Sequence, residues 1–283
     1  MRIIFLLLIS LSLYATQRII TLAPSISEIV FALGRGNEIV GVSEYASYPA
    51  GVKKITKIGG YTNPSLEKIF SLNPTLVIGQ AHYNKTLRQL NQLGIKTLSL
   101  EMTNIANIKA SITKIASAID ADANILIDSI DKAIADAQEK AKTSYSNRQV
   151  EFQEKPTSKK RVLIVYGLSL DINRGLYIAG HNIFYEDIIH MCGAENAYKS
   201  QQLSQPVLHY ESLVALNPDS VILLHHSATD GDIDFNKAKE LWYNIPINAG
   251  INKKVTILSK DYLSIPSHRV AQSITDLCEV ISQ

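Results

Sequence analysis

The sequence predicts an α/β protein built as two similar lobes with parallel sheets, joined by one long helix, with a ligand cleft between the lobes. Three observations lead there. Residues 65–79, SLEKIFSLNPTLVIG, and residues 209–223, HYESLVALNPDSVIL, share a Glu, a Leu-Asn-Pro run and a Val-Ile pair in register, so one helix, turn and strand is written twice. The acids of the two copies are Glu67 and Glu211. Around both copies, short apolar strands alternate with short helices, the Rossmann-like pattern of a parallel sheet with crossover helices. Between the halves, residues 107–147 contain neither Pro nor Gly.

The chain has 283 residues, 46 % of them hydrophobic, and a formal net charge of +2. That is enough apolar material for a sizeable core, and the mixing of acids and bases points away from nucleic acid.

In chain order, MRIIFLLLISLSLYATQ carries Arg2, an apolar run from Ile3 to Leu13 and a small residue at Ala15. Residues 1–16 therefore read as a secretory signal peptide, and the alternative is a buried first element. The run is short for a membrane span. No cysteine follows it to carry a lipid, so a soluble, periplasmic protein is expected. The first lobe, 17–117, opens on the strand RIITLAP. In SISEIVFALG the apolar residues fall at helical spacing, Ser25 and Glu28 form a candidate capping box, and Gly34 is the stop. EIVGVS, TLVIG and KTLSL are strands; Leu66–Leu72 and KTLRQLNQLG are helices. The connection, 118–158, holds Leu126, Ile130, Ala133, Ile134 and Ala137 at helical spacing. A helix from about Asp122 to Tyr145 would span roughly 30 Å and act as a strut. The second lobe, 159–283, repeats the plan with RVLIVYG, HNIFYEDIIHMCG, YESLVALNP, SVILLHH and KVTILS, then a last helix in HRVAQSITDLCEVIS. Its first helix sets Asp187-Ile188 against Glu28-Ile29, and Gly193 against Gly34.

In such folds ligands sit outside the carboxyl ends of the strands. His82 and the pair His225/His226 fall there, and only one of two neighbours on a strand faces a given side. Tyr oxygens and His nitrogens suit a metal-containing ligand, and the thirteen tyrosines offer aromatic walls for a flat one. Ordinary packing is the competing reading for most of them, and a surface or core role is preferred for His190 and His209. Cys192 and Cys278 either pair, as exported cysteines often do, or stay as separate buried thiols.

The order RIITLAPSISEIVFALG, VGVSEYASYP, GGYTNPSLEKIFSLNPTLVI, LGIKTLSL and MCGAEN resembles the periplasmic substrate-binding proteins of ABC importers for vitamin B12, iron-siderophores and haem. It is most like the vitamin B12-binding member. The resemblance runs from about Arg18 to Ser282. It implies two lobes on one long helix and a monomer that delivers ligand to a permease dimer with its ATPase subunits. It implies a corrinoid or metal chelate (iron-siderophore, haem or nickel complex) as ligand, carrying cobalt, iron or nickel, with no intrinsic cofactor and no metal site apart from the ligand's. Ligand-binding positions carried over are Tyr48, Tyr61, Tyr177, Asp261 and Tyr262, with His82 and His225 added from their strand ends. Tyr61 stands where the vitamin B12-binding member has Trp, and Ile265 where an Arg is expected. Glu67 and Glu211 match the acids that dock on permease arginines; as plain helix-start residues they would favour the positive helix end. The resemblance also implies a Cys192–Cys278 disulfide. An exported chelatase-like enzyme on the same fold is the alternative. The sequence holds no P-loop, no G-x-S-x-G and no G-x-G-x-x-G after a strand.

Overall fold

The computed structural model describes residues 17–60, 63–152, 159–200, 204–226 and 233–282. The expected signal peptide and Tyr61 lie outside these residues. The first lobe is a five-stranded sheet in the order β3-β2-β1-β4-β5. Its strands are β1 (Ile19–Thr21), β2 (Ile39–Val42), β3 (Thr56–Lys57), β4 (Leu76–Gln80) and β5 (Thr97–Leu100), all paired in parallel. Helices cover both faces of such a sheet, which is why Ile19, Ile20, Val77 and Ile78 are all fully buried along continuous apolar runs. The strand order reverses between β1 and β4. That is the switch point where this fold opens a crevice.

Helix α1 (Pro24–Ala32) departs from the expected start. Its N-cap is Ala23, Pro24 occupies the first turn, and no side chain caps it. Proline is tolerated there because its missing N–H would have had no helical partner. Ser25 and Glu28 are thereby freed from capping. The other helices of the lobe are α2 (Leu66–Ser71), α3 (Asn84–Gln92) and α4 (Ile105–Ala118). Ser65 caps α2 by accepting the Lys68 N–H, and Asn104 caps α4 by accepting the Asn107 N–H at 2.8 Å.

The strut is α5 (Asn124–Phe152), a single helix running through the expected span. The second sheet is β11-β10-β6-β7-β9, with β8 also on β6. It comprises β6 (Arg161–Tyr166), β7 (Leu176–Ile178), β8 (Glu195–Asn196), β9 (Val207–Leu208), β10 (Ser220–Leu224) and β11 (Val255–Leu258). The expectation of parallel sheets holds for β6, β8, β10 and β11, but β7 runs antiparallel to both β6 and β9. The connection 167–175 is too short to hold a crossover helix, so the chain returns beside β6 in the opposite sense. The helices are α6 (Phe184–Met191), α7 (Tyr210–Leu216), α8 (Phe235–Tyr243), α9 (Asn248–Ile251) and α10 (Val270–Ser282).

The duplicated text folds alike in detail. Asn73 and Asn217, the asparagines of the two Leu-Asn-Pro runs, both take φ 45°, a left-handed turn that Asn tolerates and that ends α2 and α7. An arginine stands at the start of the first strand of each lobe, Arg18 just before β1 and Arg161 as the first residue of β6. Arg18 donates to the carbonyls of Leu72 and Asn73, and Arg161 to those of Leu216 and Asn217. Each thus satisfies carbonyls that a helix end leaves open, and places a cation at its negative end.

The lobes share a core. One apolar cluster runs from Ile19 and Val42 through Ile108, Ile112 and Ile115 of α4 and Ile130 of α5 to Ile188 of α6 and Ile274 of α10. Cys192 and Cys278 form a disulfide with Cα atoms 5.2 Å apart, tying the end of α6 to α10. Among the described residues no helix is long and apolar enough to cross a membrane.

Candidate functional site

The carboxyl ends of β1, β4, β5 and β6 converge on a cavity of about 690 Å3. The first lobe supplies Ala23–Ser25 after β1, Tyr45 after β2, Gln80–His82 after β4, and Leu100–Thr103 at the end of β5. The second lobe supplies Tyr166 at the end of β6, Asn182–Tyr185 at the start of α6, Ser204 and Gln205, and Ser264–Pro266. The volume lies within the range of small-molecule sites.

Aromatic rings dominate its second-lobe wall. The rings of Tyr166 and Tyr185 meet edge to face at 5.6 Å, and Phe184 leans on Tyr185 at 4.1 Å. Burial pushes the Tyr166 hydroxyl well above the ordinary phenol range, against a small pull from Gln205. It does the same to Tyr185, whose hydroxyl donates to the Leu263 carbonyl. Gln80 Nε2 donates to Ser25 Oγ at 3.0 Å. Among the described lining residues Glu101 is the one carboxylate, and there is no Lys or Arg.

His82 lines the cavity with its ring 4.0 Å from that of Tyr83, and partial burial lowers its pKa below the ordinary imidazole value of 6.5. A neutral imidazole keeps a lone pair available to a metal. Among the described residues no group of three His, Cys, Asp or Glu side chains is placed to hold a metal ion.

The other sequence candidates lie elsewhere. Tyr48, Asp261 and Tyr262 gather around Arg269. The Arg269 guanidinium sits 4.0 Å over the Tyr48 ring and 5.5 Å from that of Tyr262, and its Nη1 donates to Asp261 at 3.0 Å. Tyr262 donates its hydroxyl to Asp276, and burial together with that carboxylate pushes its pKa up to about 12. Tyr177 is 61 % exposed on β7, opposite Val207. His225 is 8 % exposed, with Nδ1 at 2.8 Å from Ser259 Oγ and its ring edge-on to Phe235, so it packs inside the second lobe away from the cavity lining. Glu67 and Glu211 are exposed in the first turns of α2 and α7.

The sequence candidates do not include Tyr45, Gln80, Tyr166, Tyr185 or Gln205. Gln80 and Tyr166 end strands, and the rule that ligands sit beyond strand ends applies to them as much as to His82. Tyr185 lies inside a helix and carries no such signal.

The model of the periplasmic binding protein family matches residues 19–262. Over 276 residues the chain is 28 % identical to a vitamin B12-binding protein of Salmonella paratyphi A, covering 96 % of this chain and 92 % of that one. An uncharacterized ABC transporter substrate-binding lipoprotein of Bacillus subtilis is 30 % identical, with 94 % of this chain and 80 % of that one covered. Among solved structures, a periplasmic haem-binding protein of Roseiflexus in its apo form superposes with a TM-score of 0.73 at 26 % identity, over 95 % of this chain and 100 % of that one.

Proposed function

The chain belongs to the periplasmic binding protein family, and from that premise we propose that it captures a corrinoid in the cleft between its lobes and hands it to an ABC permease. The observation that carries the choice of ligand is the charge of the cavity. Among the described residues, large aromatic rings and neutral amides line it, with one carboxylate and no Lys or Arg. The nearby guanidinium of Arg269 is engaged by Glu28 and Asp261. Haem brings carboxylates and a ferric catecholate brings several negative charges. Burying either without a cationic partner costs heavily. A corrinoid presents a flat ring fringed with uncharged amides, which Gln80, Asn182 and Gln205 can meet. Tyr45 and His82 would touch the ring or its metal from the first lobe, and Tyr166 and Tyr185 from the second. The vitamin B12-binding protein of Salmonella supports this reading; the haem-binding relative supports the fold and marks the competitor. The chelatase-like alternative has no support among these relatives, which are named as binding or transport proteins.

In this reading the protein works as a monomer in the periplasm, and exposed Glu67 and Glu211 dock one lobe on each permease subunit. Charge of that kind steers an encounter more than it adds affinity.

The test is a titration with cyanocobalamin, haemin and a ferric catecholate, followed by calorimetry and by the visible spectrum. Cyanocobalamin is expected to bind and the two anionic chelates to bind far more weakly. Tight haemin binding with no uptake of cyanocobalamin would overturn the assignment.

A further inference from the structure

The duplicated helices α1 and α6 each carry an acid six residues ahead of their closing glycine, Glu28 before Gly34 and Asp187 before Gly193 (34 − 28 = 193 − 187 = 6). An acid on a helix ordinarily faces water. These two face the opposite lobe. Glu28, 1 % exposed, accepts from Arg269 Nε at 2.9 Å, from Arg269 Nη2 and from Ser267 Oγ at 2.6 Å, all in the second lobe. Asp187 accepts the backbone N–H of Ile105 at 2.8 Å, the first residue of α4 in the first lobe. That N–H is one of the donors a helix start leaves without a partner. Beside it, Asn104 Nδ2 reaches Asn182 Oδ1 at 3.4 Å across the same boundary.

The placement relative to the cavity is regular. Each crossing joins two segments that run directly out of the cavity lining. Ala23–Ser25 leads to Glu28, and Ser264–Pro266 leads to Ser267 and Arg269. Asn182–Tyr185 leads to Asp187, and Leu100–Thr103 leads to Ile105. A buried ion pair adds little net stability, because desolvation offsets the attraction, but it demands one geometry. We propose that Glu28 and Asp187 are positioning residues, a reciprocal pair of cross-lobe hooks that hold four cavity walls at a fixed spacing, so the cleft is shaped before ligand arrives. The part of this that concerns affinity rests on the ligand site proposed above; the part that concerns lobe spacing does not. Both hooks restrain the same rotation about α5, so each backs up the other. Their removal should couple, with the double change costing more than the sum of the single ones.

The experiment places nitroxide labels at exposed positions of the two lobes, L93C and I251C, and measures the distance distribution in otherwise wild-type, E28A, D187A, E28A/D187A and D187N proteins, with and without cyanocobalamin. Wild type should give one narrow distribution that ligand leaves in place. The double variant should broaden and shift outward when free, narrow on binding, and bind about tenfold or more weakly, since only a fraction of molecules has the competent spacing. D187N should behave as wild type, because its amide carbonyl still accepts the Ile105 N–H. If E28A/D187A does not fold, the milder pair E28Q/D187A takes its place and is compared with E28Q/D187N. Narrow, wild-type distributions in D187A and the double variant, whatever their melting temperatures, would overturn the proposal. If wild type does not bind cyanocobalamin, the ligand reading fails and the distances still decide the hooks.

Discussion

His268 should make this protein lose stability in mild acid. It lies between Ser267 and Arg269, the residues that hold Glu28, and its Nδ1 is buried with no hydrogen-bond partner among the described residues. Burial first, and the Arg269 charge second, lower its pKa from 6.5 to about 4. The unfolded chain therefore takes up a proton near pH 6.5 that the folded chain refuses until near pH 4. Between those values the unfolded state binds more protons, so stability rises with pH and falls on acidification. At about 1.4 kcal/mol per pH unit the full window amounts to on the order of 3 kcal/mol. Glu28 titrates with the opposite sign. Burial raises its carboxyl pKa despite Arg269 and Ser267, so its contribution is greatest at low pH and is lost as pH rises. Comparing wild type with H268N removes Glu28, Asp261 and Arg269 from the difference, because both proteins keep them. Urea unfolding at about pH 7 and about pH 4.5 should show wild type losing about 2–3 kcal/mol more than H268N. Equal losses in the two proteins would refute the argument that burial keeps this imidazole neutral.

Removing the disulfide with C192S/C278S opens a loop of sequence separation 86, which chain entropy values on the order of 4 kcal/mol; urea unfolding measures it, and two free thiols in the denatured, unreduced wild type would reject the bond. Reversing the exposed acids with E67R and E211R should leave cyanocobalamin affinity unchanged and reduce uptake, the double variant most, because an attractive contact becomes repulsive. Uptake at the wild-type level in the double variant would reduce both acids to helix-start residues.

The sequence by itself determined the local chemistry and, through its duplication, the plan. Helix and strand periods repeat within a few residues, so the strut, the two sheets and most strands could be read directly. The repeated Leu-Asn-Pro run meant the same left-handed turn twice because the backbone needs of Asn73 and Asn217 are local. Strand ends located His82 at the cavity for the same reason. Tertiary structure decided whatever depends on how the lobes meet. Ser25 and Glu28 have the spacing of a capping box, but Pro24 starts the helix, and Glu28 finds its partner Arg269 at a sequence separation of 241. No local pattern encodes such a contact. His225 sits at a strand end like His82, yet packing against Phe235 and Ser259 turns it into the lobe. Strand β7 is antiparallel because a short loop returns it beside β6. The charge of the cavity follows from both lobes together. Segments far apart in sequence enclose it, and Arg269, next to Asp261, is engaged by a carboxylate from the opposite lobe.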